Sequence, residues 1–155
     1  MYPIEIPTDE ESQEAEEVVV GEDSYFNQNF KILSLGDSYT IGQSVCETCR
    51  FPEQLKSKLE SSFPLSTFAL QVIAQTGWTT TNLISAINNV NPDNNFDLVT
   101  LLIGVNNQYQ NKPFSMYTEE FPQLINMAIQ KAKGDASNVI VVSIPDYAYT
   151  PFGNG

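Results

Sequence analysis

The stretch that decides the fold is KILSLGDSYTIGQS, Lys31 to Ser44. An apolar run, Phe30–Leu35, stops at Gly36, which is how a buried strand ends in a tight turn. Asp37 and Ser38 come directly after the glycine, so the strand delivers a hydroxyl to the edge of a sheet. Yet the chain has no histidine among its 155 residues, and a serine hydroxyl is a poor nucleophile unless a base takes its proton.

Outward from this stretch, strand and helix patterns alternate. FPEQLKSKLESS (Phe51–Ser62) puts Phe51, Leu55 and Leu59 on one helical face, with Pro52 tolerated in the first turn. STFALQVIAQ (Ser66–Gln75) reads as a second strand, ending before Gly77. TTTNLISAINNV (Thr79–Val90) reads as a helix with threonine caps and Leu83, Ile84 and Ile87 turned inward. FDLVTLLIG (Phe96–Gly104) is the continuous apolar run of a central parallel strand covered on both faces. YTEEFPQLINMAIQKAK (Tyr117–Lys133) is a helix with Thr118 as N-cap, acids in the first turn, Lys131 and Lys133 in the last, and Gly134 closing it. NVIVVSIPD (Asn138–Asp146) is a fourth strand.

The order β-α-β-α-β-α-β with short connections predicts a three-layer α/β fold built on a parallel sheet. In such sheets, sites lie outside the carboxyl ends of the strands. There the sequence places Gly36-Asp37-Ser38, Thr76-Gly77-Trp78, Gly104-Val105-Asn106-Asn107 and Pro145-Asp146-Tyr147. Acyl transfer by a serine needs an exposed hydroxyl, a base, and donors where the oxyanion forms. Ser38 offers the hydroxyl, Gly77 an unobstructed backbone N–H, and Asn106 a neutral amide donor. Asp37 reads as a turn residue bonding backbone N–H groups rather than as a catalytic acid. Trp78, Tyr39 and Tyr109 either line an acyl pocket or pack beneath the loops.

GDSYTIG after the first strand, the isolated Gly77 after the second and GVNN after the third resemble the SGNH, or GDSL-type, hydrolases. The resemblance spans about residues 30–152. It implies a flavodoxin-like fold, with Ser38 as nucleophile and Gly77 and Asn106 as oxyanion donors. It implies a small ester as substrate, cleaved through an acyl-enzyme. SIPDYAYTPFG also looks like a stretch found in some members. The family often carries Asp where this chain has Asn107. Its last block, Asp-x-x-His, supplies the general base, and that block is absent from this chain. The expectation is therefore an N-terminal portion of a hydrolase, lacking a C-terminal unit and weakly active or inactive alone, with the edge beside strand 4 unpaired. The rival reading is a non-catalytic ligand-binding module on the same fold. A nucleotide binder is disfavoured, because no Gly-rich phosphate loop occurs.

Charge sharpens the class. Residues 1–30 hold nine acids and no Lys or Arg, while residues 31–155 hold ten acids and seven bases. A polyanion is repelled, which excludes nucleic acid as a partner. Residues 1–29 read as an acidic, disordered linker, with an acidic interaction tail as the alternative, and residues 30–155 as the hydrolase-like domain. No run approaches the roughly 18 apolar residues of a membrane span, and no signal peptide is recognisable. The chain is then either cytosolic or exported with its targeting segment outside this sequence. Cys46 and Cys49 cannot supply the four ligands of a zinc site without histidine, so neither metal nor cofactor is expected. The pair is either a short-range disulfide, the preferred reading and one that favours export, or two free thiols. A thioredoxin-type redox pair would sit at a helix start just after a strand, which this loop position does not match. Oligomeric state has no signature.

Overall fold

The computed structural model describes residues 27–146. The expected linker over 1–29, all but its last three residues, and the last nine residues of the expected domain lie outside that range. The elements are β1 (Asn29–Gly36), α1 (Ser38–Ile41), α2 (Phe51–Ser62), β2 (Thr67–Ala74), α3 (Thr80–Val90), β3 (Leu98–Leu102), α4 (Val105–Tyr109), α5 (Phe114–Lys131) and β4 (Val139–Val141). All pairings are parallel, in the order β2-β1-β3-β4. The expected flavodoxin-like α/β architecture is what the chain adopts.

Register explains the layers. Leu33, Leu35, Ile73, Val99 and Leu101 share one face of the sheet and pack with Leu83 and Ile87 of α3 and Leu124 and Ala128 of α5. Each buried leucine or isoleucine contributes about 1.5–3 kcal/mol, so this face dominates the stability. Ile32, Phe68 and Leu98 face the other way, toward Leu59 and Phe63 at the end of α2. On that face Phe30 stacks on Phe68, ring centroids 5.2 Å apart, and the buried Thr100 hydroxyl donates to Ser34 Oγ at 2.9 Å. Among the described residues β4 pairs on one side only, leaving Ile140 and Val141 each half exposed.

Three element boundaries differ from the sequence reading. Helix α5 starts at Phe114, not Tyr117, with Pro113 as its N-cap. Aromatic rings at helical spacing drive the extension: Phe114 stacks on Tyr117 and Tyr117 on Phe121. Thr118, expected as the N-cap, lies inside the helix, where its hydroxyl donates to the Ser115 carbonyl. Strand β4 is shorter than Asn138–Asp146, because Asp135 caps a 3-10 turn over Ala136–Asn138 and β3 ends at Leu102. The stretch after Gly104, which the sequence places beyond the end of the third strand without assigning it an element, forms the short helix α4. Gly134 does close α5, at φ +76, its N–H donating to the Ile129 carbonyl at 2.9 Å. Lys131 lies in the last turn as expected, buried there with its ammonium donating to the Pro92 carbonyl at 2.6 Å, just past the end of α3, while Lys133 lies beyond the helix.

Candidate active site

Strand β1 lies between β2 and β3, and its last residue, Gly36, is in register with Ala74 and Leu102. The three turns beyond these residues therefore leave the sheet at one level. The strand order reverses between β1 and β3, with the chain running from β1 out to β2 on one side and from β3 to β4 on the other, the switch point where parallel sheets open a crevice. A Cβ at Gly36 would fall 2.0 Å from Thr40 Oγ1 and 2.5 Å from the Leu102 carbonyl. Only glycine lets β1 end this close to both α1 and β3.

Asp37 caps α1, its Oδ1 accepting from the Tyr39 N–H at 3.0 Å. It is fully buried, and that burial pushes its carboxyl up from the ordinary 3.8 to about 6, against the lowering effect of the Tyr39 N–H. The expected turn-holding role is the one the geometry displays. Asp37 Oδ2 and Thr40 Oγ1 are buried with no hydrogen-bond partner among the described residues. Ser38 is the first residue of α1 and half-buried. Its carbonyl accepts from the N–H groups of Gly42 and Gln43 at 3.1 and 3.0 Å.

Gly77 takes φ +82, a conformation side chains resist, although a Cβ there would meet nothing within 4 Å. Its carbonyl accepts from Gln110 Nε2 at 2.8 Å. Next to it, the Trp78 carbonyl accepts from Asn106 Nδ2 at 3.0 Å. An amide nitrogen carries two hydrogens, so this bond fixes the Asn106 side chain and leaves one donor to spare. Gly77 and Asn106, 29 positions apart in the chain, are thus tied into one assembly. Asn106 and Asn107 adopt no positive φ; both lie in α4.

The sequence reading named Asn107 as a departure from the family pattern but missed its role and the partners around it, Thr80, Thr81, Glu120 and Gln110. Asn107 is buried, accepting from the Thr80 N–H at 3.0 Å and donating to the Thr80 hydroxyl at 2.7 Å. That hydroxyl donates in turn to Glu120 of α5, which also takes the Thr81 hydroxyl at 2.7 Å. Gln110 completes the set by clamping the Gly77 carbonyl. The spans, from 27 to 40 positions, put these bonds beyond any local pattern. Of the three aromatic candidates, Trp78 packs against the core, Tyr39 is half-buried, and Tyr109 is 67 % exposed. None lines the groove of about 700 Å³ beside Asn107, whose walls include Gly104, Gln108, Phe114, Tyr117 and Ile144.

Cys46 and Cys49 are joined by a disulfide, which decides between the two readings of the pair. The pair precedes α2, but α1 and a loop separate it from β1, so it does not take the strand-to-helix position of a thioredoxin-type pair. No helix among the described residues is long and apolar enough to cross a membrane. No cluster of three or more His, Cys, Asp or Glu among them has the makings of a metal site.

Residues 34–155 match the model of the GDSL-like lipase/acylhydrolase family. No curated protein is significantly similar. Among solved structures, TesA shares 17 % identity at a TM-score of 0.59, over 79 % of this chain and 66 % of that one. AlinE4, described as an SGNH-hydrolase family esterase, shares 18 % at a TM-score of 0.60, over 75 % and 59 %. The psychrotrophic esterase EstA from Pseudoalteromonas sp. shares 17 % at 0.54, over 76 % and 62 %. The matched part of these three structures is thus 59–66 % of their length, and at such identities the likeness speaks for the fold.

Proposed function

The chain belongs to the GDSL-like lipase/acylhydrolase family, and from that premise we propose that it carries the nucleophile and oxyanion portion of a serine ester hydrolase. In this reading Ser38 Oγ attacks the ester carbonyl carbon, forming a C–O bond as the carbonyl π electrons move to oxygen. The N–H groups of Ser38 and Gly77 and the spare hydrogen of Asn106 Nδ2 receive that oxyanion. On collapse the proton given up by the Ser38 hydroxyl passes through solvent to the departing alkoxide, so that the alcohol leaves and an acyl-enzyme remains, which water then cleaves. The apolar walls of the groove beside Asn107 suit an acyl group.

The observation that carries the reading is the pair of bonds from α4 and the residue that caps its end, Asn106 to Trp78 and Gln110 to Gly77, on a rim level with the end of β1. None of the 155 residues is a histidine, so the Ser38 proton has no imidazole acceptor among them. Hydrolysis by these residues alone is expected near background. The same fact favours the second reading, a ligand-binding module that keeps the fold without turnover.

Phenylboronic acid, which forms a tetrahedral adduct on a serine oxygen, separates the two readings. Capture that Ser38→Ala abolishes and Asn106→Ala weakens supports the hydrolase site. Capture indifferent to both substitutions rejects it. A p-nitrophenyl ester tests the base: Ser38-dependent turnover by this chain alone would overturn the expected inactivity.

A further inference from the structure

The loop between α1 and α2 carries both cysteines, and both are exposed. Their bond closes a ring of residues only three positions apart, so it removes little entropy from the unfolded chain. The backbone already closes the same turn, the Cys49 N–H donating to the Cys46 carbonyl at 2.9 Å. The base of the loop is held without sulfur. Gly42 and Gln43 bond the Ser38 carbonyl, and the Val45 N–H donates to the Gly42 carbonyl at 3.2 Å. Gly42 also lies so close to Arg50 that a Cβ there would sit 2.6 Å from Arg50 Cβ. The bridge therefore restrains what other contacts restrain, and it stands where a thiolate can reach it.

The two sulfurs are not equivalent. Cys49 directly precedes Arg50, the N-cap of the twelve-residue α2, which has no side-chain cap. A thiolate there gains from the helix dipole. The adjacent Arg50 cation is shared with Glu47 and Glu53, which tempers its effect. Cys46 lies one turn further from the helix, with Thr48 Oγ1 at 3.4 Å.

We propose that Cys46–Cys49 is a thiol–disulfide exchange site, open to small thiols while the protein stays folded, with Cys46 attacked and Cys49 leaving. A thiolate RS⁻ bonds to Cys46 Sγ, and the electron pair of the broken S–S bond goes to Cys49 Sγ, which takes a proton from water. A second RS⁻ attacks the outer sulfur of this mixed disulfide, releasing RSSR and the Cys46 thiolate. Two thiols are oxidised as one protein disulfide is reduced. The proposal is independent of the ester-hydrolase reading.

The test uses the full 155-residue chain with excess glutathione, in native buffer and in urea, quenched with acid and mapped by mass spectrometry. Opening in native buffer within about threefold of the rate in urea is expected, as exposure rather than unfolding then governs access. The trapped adduct should lie on Cys46, and far-UV circular dichroism should stay unchanged after opening. Native opening about a hundredfold slower than in urea would overturn the proposal, since it would need unfolding first. Loss of the helical signal on opening would likewise overturn it, marking the bridge as a structural staple. An adduct on Cys49 would reject the assigned direction of attack.

Discussion

Asn107 grips Thr80 through both ends of its amide, accepting from the Thr80 N–H at 3.0 Å and donating to the Thr80 hydroxyl at 2.7 Å. The single hydroxyl proton of Thr80 is spent on Glu120. The residue at 107 must therefore donate, and a carboxylate has no proton to give. This accounts for an amide where the SGNH hydrolases often have an acid: Asn107 and Glu120 are matched through one hydroxyl. Asn107→Asp is expected to destabilise the fold by about 1–3 kcal/mol, the cost of an unsatisfied buried polar contact. Adding Glu120→Gln, whose amide can donate to Thr80, should recover most of the loss. Urea titration of the two single variants and the double variant measures the coupling, and additive losses would refute the matching.

Asp37 predicts a pH dependence. Its folded pKa of about 6 lies above the ordinary 3.8, so the native state holds the proton more tightly than the unfolded chain. Its contribution to stability is full below about pH 4, falls as pH rises through 6, and is flat above 7. The loss amounts to at most about 3 kcal/mol, since each tenfold change in acidity is worth about 1.4 kcal/mol. Asp37→Asn keeps an oxygen for the Tyr39 N–H but cannot ionise. The stability of the wild type relative to this variant should therefore decline between pH 4 and 7. Parallel pH profiles would show that Asp37 is not the group responsible.

Two glycines should respond differently to alanine. At Gly36 a Cβ meets the Leu102 backbone carbonyl at 2.5 Å as well as Thr40 Oγ1, and a carbonyl held in the sheet cannot turn aside. Gly36→Ala should cost more than about 3 kcal/mol, in the range of severe overpacking, or prevent folding. At Gly77 the space is open and only φ +82 resists, so Gly77→Ala should cost about 1–2 kcal/mol. Thermal melts of the two variants rank the effects, and equal losses would contradict the packing described for Gly36.

Asn106 is expected to matter for chemistry more than for stability. Its Nδ2 bond to the Trp78 carbonyl is only partly buried, so Asn106→Ala should cost about 1 kcal/mol of stability. Turnover driven by added imidazole and dependent on Ser38 should fall about 10²–10³-fold, as when an oxyanion donor is lost. Activity tracking stability alone would remove Asn106 from the oxyanion site.

Much of this molecule is legible in its residues. The apolar runs and helical stripes give the strand and helix order, because burial of one face imposes period on the sequence. Gly36, Ser38, Gly77 and Asn106 stand out because each comes just after an apolar run or closes one, where a parallel sheet places its chemistry. The start of α5 is hidden because Phe114 joins the helix through rings stacked along it, against the turn signal of Pro113. The length of β4 is overestimated from its residues because pairing stops where β3 stops, not where hydrophobicity ends.

What the sequence alone determined was the order of elements, the acidic balance, the absence of an imidazole, and the residues at each strand end. Only the tertiary structure decided how those ends are held. Asn107 to Thr80, Thr80 to Glu120 and Gln110 to Gly77 are hydrogen bonds between side chains and groups 27 to 40 positions away. A polar residue in a turn carries no mark of its partner until folding removes both from water. Then the cost of leaving either one unpaired selects the geometry.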